Sequence, residues 1–119
     1  MFDDDLDQLL ARYSAPMAGL FRKLLATVRD IRPDLTCKVS HAWQTVNLHL
    51  PGRGFIMAIY GSREDRVLLV FQDGRLLDSP LLVDDGKVRK VRWIPLKPGQ
   101  KLPVDDIAIL IAEAVALRS

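Results

Sequence analysis

Apolar positions change their spacing twice along the chain. Leu6, Leu9, Leu10 and Tyr13 recur at helical intervals behind Asp3, Asp4, Asp5 and Asp7, and carboxylates at a helix start meet the partial positive charge of its unpaired amides. A short first helix is expected there. Pro16 suits the first turn of a second helix, whose stripe is Met17, Leu20, Phe21, Leu24, Leu25, Val28 and Ile31 and which ends before Pro33. From residue 38 to 60 the period falls toward two: Val46, Leu48 and Leu50 alternate with Thr45, Asn47 and His49 until Pro51-Gly52-Arg53-Gly54 breaks the run. Residues 55–60 and 66–71 flank a connection of hairpin length, and Asp73-Gly74 closes the second of these strands. Residues 75–86 mix leucine pairs with Asp, Ser, Pro and Gly and read as an irregular connection, after which residues 87–96 read as a fourth strand. Past Lys97-Pro98-Gly99-Gln100, a last helix starts within residues 103–106, with Ile107, Leu110, Ile111, Ala114, Val115 and Leu117 on its apolar side.

That order has no strand-helix-strand alternation. It predicts an α+β domain: a four-stranded antiparallel sheet with N-terminal helices and a C-terminal helix packed on one face. At 119 residues the chain is long enough for one core and too short for two, so residues 1–119 are expected to form a single domain. With 49% hydrophobic and 27% charged residues, the composition is that of a globular protein rather than a disordered one. Unbroken apolar stretches such as 107–112 and 67–71 fall far short of the ~20 residues needed to cross a bilayer, and no membrane partner is expected. The start of the chain is acidic where an export signal is basic and then apolar. Cys37 is the only cysteine, which fits a reducing compartment; the expected location is cytoplasmic. A formal charge of +2 does not by itself point to nucleic acid.

The leucine-rich helix ending near Pro33, the strand block after it, the segment Asp78-Ser79-Pro80-Leu81-Leu82, and Gly86-Lys87 followed by Arg89-Lys90-Val91-Arg92 together resemble the YdhG-like (DUF1801) family. The resemblance runs from about Tyr13 to the last helix. It implies a frataxin-like fold and a role in handling iron or binding a partner, without naming residues. Around residues 37–44 the chain departs from the family pattern: Cys37-Lys38 and Ala42-Trp43-Gln44 stand where an acidic residue and a Gly-x-Pro turn are expected.

Several groups of residues carry chemistry. Asp3, Asp4, Asp5 and Asp7 offer hard oxygen ligands to iron or another divalent cation; the plain alternative is a solvated helix start. Cys37, His41 and His49 share one parity, so a continuous strand would set thiol and imidazoles on one face, as a metal or a nucleophile pair requires. Their spacing matches no compact motif, and a bend at Ser40-His41-Ala42 would part them. Lys87, Arg89, Lys90 and Arg92 beside Trp93 form the densest basic run, able to grip a phosphate or a stacked base, although alternation splits them between two faces. Trp43 near Gln44, Asn47 and His49 has the make-up of a small-molecule cleft wall. No phosphate-cradling glycine loop or catalytic motif occurs.

The expected function is therefore a non-enzymatic domain that binds a small ligand or a protein partner through Trp43, Gln44, Asn47, His49, Arg89 and Arg92. Two alternatives stand beside it: iron binding through Asp3, Asp4, Asp5 and Asp7, and anionic-ligand or nucleic-acid binding through residues 87–93. A homodimer through a strand edge, residues 46–50 or 87–94, is compatible with the sequence but not required by it.

Overall fold

The computed structural model describes residues 1–62, 65–84, 86 and 89–118. Its elements follow in the order α1 (Phe2–Leu10), α2 (Ala15–Ile31), β1 (Thr36–Ser40), β2 (Thr45–Leu50), β3 (Gly54–Gly61), β4 (Val67–Phe71), a short 3-10 turn (Gly74–Leu76), β5 (Arg92–Leu96) and α3 (Val104–Ala116). Asp3, Asp4 and Asp5 occupy the first turn of α1. Ser14 caps α2, its hydroxyl accepting a hydrogen bond from the Met17 amide at 3.4 Å, and Pro16 sits in the first turn, where the missing N–H removes no helical bond.

The five strands form one sheet in chain order, each antiparallel to its neighbours. The sequence predicts only four of them. The additional strand is β1, which lies at the edge: of its residues, Thr36 and Lys38 are exposed and the rest only partly covered, so it carries no apolar alternation to read. At the other edge β5 is regular only over Arg92–Leu96; of the earlier part of the expected strand, residues 87 and 88 lie outside the described residues.

Pleating divides the sheet into two faces. Across one face run Val39, Val46, Ile59, Leu69 and Ile94 in register, and the last four of these are buried against the helices. Phe21, Leu24 and Val28 of α2 are fully enclosed beside them, as are Ile107 and Ile111 of α3, and all belong to one core. Burying each such side chain contributes about 1.5–3 kcal/mol. Across the opposite face run Ser40, Thr45, Tyr60, Leu68 and Pro95, mostly half-buried.

The register also separates the cysteine from the histidine. Cys37 pairs with Leu48, and His49 pairs with Thr36, so Cys37 lies on the helix side and His49 on the open side. Residue parity does not carry across the hairpin between β1 and β2, because antiparallel pairing there joins odd positions to even ones.

Candidate functional site

At one end of the sheet, three connections enclose a cleft of about 520 Å³. The junction of α1 and α2 supplies Arg12, Tyr13 and Ser14; the β1–β2 loop supplies Ala42, Trp43 and Gln44; the end of β3 and its following turn supply Tyr60, Ser62 and Asp65. Two of these walls are held by local hydrogen bonds. Ser40 Oγ accepts from the Trp43 amide at 3.3 Å and the Ser62 amide donates to the Arg66 carbonyl at 2.8 Å, tying down both loops.

Tyr13 forms the floor. Its hydroxyl donates to the Gly61 carbonyl at 3.3 Å, and its ring stacks on Phe21 with centroids 6.5 Å apart. A Cβ at Gly61 would lie 2.6 Å from the Tyr13 ring, so a larger residue there forces the ring to shift. Burial raises the Tyr13 phenol above its ordinary range, the nearby Tyr60 phenol adds to this, and the Arg12 guanidinium opposes it. Arg12, Tyr13 and Tyr60 all line the cleft. Among the described residues, neither the Arg12 guanidinium nor the Tyr60 hydroxyl makes a side-chain hydrogen bond or ion pair.

Two residues on the rim have left-handed backbones: Gln44, with φ 58°, and Asp65, with φ 56°. Asp tolerates that conformation through local hydrogen bonding, whereas for most side chains it costs roughly 1–2 kcal/mol. Glycine or asparagine is the usual occupant of such a turn position; here it is a glutamine that lines the cleft. Trp43 beside it is 70% exposed.

Of the residues picked out in the sequence, the structure brings Trp43 and Gln44 together here. Asn47 lies farther along β2, its amide oxygen accepting from Thr45 Oγ1 at 2.7 Å, and His49 packs on Phe55 with ring centroids 5.6 Å apart. Arg92 is at the far edge of the sheet, held to Asp84 at 3.2 Å and donating to the Val91 carbonyl at 2.7 Å. Arg89 and Lys90 are exposed nearby, while Lys87 lies outside the described residues.

The α1 aspartates do not converge. Asp7 pairs with Arg22 at 2.6 Å and Asp5 faces His41 at 3.4 Å; among the described residues no group of three or more His, Cys, Asp or Glu is placed to hold a metal. Cys37 is half-buried, and burial raises its thiol pKa despite the opposing charge of Arg29.

Arg12, Tyr13, Tyr60 and Asp65 are not legible as site residues in the sequence. Each stands at or beyond the end of an element, and only the folded register joins them; the one local signal is the polar interruption after Tyr60-Gly61. No family model, curated protein or solved structure matches the chain. No helix of the described residues is long and apolar enough to cross a membrane.

Proposed function

We propose that this chain is a non-enzymatic, YdhG-like binding domain of the cytoplasm, and that its ligand occupies the cleft between Tyr13, Trp43 and Asp65. One observation carries the reading: Gln44, a side chain ill-suited to a left-handed turn, is kept there on the wall of the cleft, next to an exposed tryptophan. Local strain of this kind clusters where a side chain is needed for binding. An aromatic surface with a guanidinium, a phenol, an amide and a carboxylate around it has the make-up of a small-molecule site. Binding is favoured over catalysis because the one thiol, Cys37, sits on the sheet face opposite His49 and burial raises its pKa, away from the thiolate a nucleophile needs.

The test is a thermal-shift screen of small polar metabolites and divalent metals, since a ligand that binds only the folded state raises Tm. A shift from a small organic molecule that disappears in Trp43→Ala supports the reading. A metal-dependent shift that survives Trp43→Ala, and disappears when Asp3, Asp4, Asp5 and Asp7 become asparagine, replaces it with iron binding.

A further inference from the structure

If the cleft binds a small ligand, as proposed above, its lining restricts which one, and the assignment of that ligand rests on the binding reading. Among the described residues, Arg12 and Asp65 place a cation and a carboxylate on the same cavity. A simple anion would meet the repulsion of Asp65, and a simple cation that of Arg12. A neutral sugar would leave the guanidinium unused. A molecule with an anionic end, a pair of hydroxyls and a flat apolar surface uses Arg12, Asp65 and Trp43 together.

We infer that the cleft takes a ribonucleoside monophosphate, its base against Trp43, its phosphate at Arg12 and Tyr60, and its ribose diol at Asp65. Each assignment comes from the chemistry of the group. Every nucleobase has a π-face that stacks on an aromatic ring, and Trp43 offers one at 70% exposure. Guanidinium binds phosphate through paired hydrogen bonds, and Tyr60, which lines the same cleft, carries a hydroxyl that supplies a further donor. A carboxylate only accepts, so it selects adjacent hydroxyls, as an acidic residue does for a nucleotide ribose. The volume of about 520 Å³ lies within the ~300–1,000 Å³ of small-molecule sites. Gln44, next to Trp43 on the same wall, is able to donate and accept at the edge of the base.

Isothermal titration of the full chain with AMP, GMP, CMP and UMP, and with dAMP, adenosine, ribose 5-phosphate and inorganic phosphate, tests the assignment. AMP is expected to bind better than adenosine, ribose 5-phosphate or phosphate, and better than dAMP. Trp43→Ala should weaken AMP roughly tenfold or more, and Arg12→Ala should bring AMP down to the level of adenosine. Asp65→Asn is the most discriminating variant: asparagine suits the left-handed backbone, so the fold is kept, and AMP should fall to the affinity of dAMP while dAMP is unchanged. A preference for AMP over dAMP that persists in Asp65→Asn overturns the diol assignment. If no nucleotide binds while another small molecule gives a Trp43-dependent shift, the nucleotide assignment fails and the ligand-binding reading stands; if no small molecule binds at all, both fail.

Discussion

Changing Gly61 to alanine probes the floor of the cleft. The new Cβ would lie 2.6 Å from Tyr13 Cζ and 2.8 Å from Cε1 and Oη, well inside ordinary contact, so the ring has to shift. The backbone at Gly61 is not left-handed, and alanine alone would stabilise by about 0.4–1 kcal/mol through the unfolded chain. Against this stands overpacking of about 1–3 kcal/mol, including loss of a 3.3 Å hydrogen bond and of the stacking on Phe21. The net expectation is a loss of about 1.3 kcal/mol, which for a chain of this size lowers Tm by about 5 °C. A double-mutant cycle by urea denaturation isolates the cause. In a Tyr13→Ala background the collision partner is gone, and Gly61→Ala should cost nothing or stabilise slightly. An equal cost in both backgrounds would refute the geometry of the floor.

Three further expectations rest on the same geometry. Gly74→Ala should be more damaging than Gly61→Ala, by about 3 kcal/mol or more in urea melts, because its Cβ would lie 2.5 Å from the backbone nitrogen and Cβ of Arg92; Arg92→Ala, which keeps both atoms, should not rescue it. Gln44→Gly should raise stability by about 0.5–1 kcal/mol, the left-handed strain relieved less the entropy given to the unfolded chain, while weakening any ligand of the cleft. The raised Tyr13 pKa contributes stability that is complete below the ordinary phenol value of about 10 and is lost as pH rises through the folded value; the stability gap between the protein and Tyr13→Phe should therefore be level up to ~pH 9 and shrink as pH rises past ~10, and a constant gap would count against the assignment.

Much of the fold was legible because burial writes itself into spacing. The α2 stripe from Met17 to Val28 and the alternation of Val46, Leu48 and Leu50 are core contacts, and the sequence pattern that announces them is the same physical fact. β1 was hidden for the opposite reason: an edge strand with Thr36 and Lys38 exposed has no apolar rhythm. The cleft was hidden because proximity without periodicity leaves no trace. Trp43 and Gln44 stand out by residue type, but Arg12, Tyr60 and Asp65 meet them only after the β1–β2 hairpin, the β3–β4 turn and the α1–α2 junction fold to one end of the sheet. Basic residues 87–93 attract notice by density alone; Arg92 is held in an ion pair with Asp84.

The most direct test of ligand binding in the cleft is amide and indole chemical-shift mapping by NMR during titration with whichever compound raises Tm. Responses are expected to centre on residues 12–14, 42–44, 60–62 and 65, with the Trp43 indole among the largest. Responses centred instead on residues 3–7 or 89–93, with the cleft silent, would contradict it.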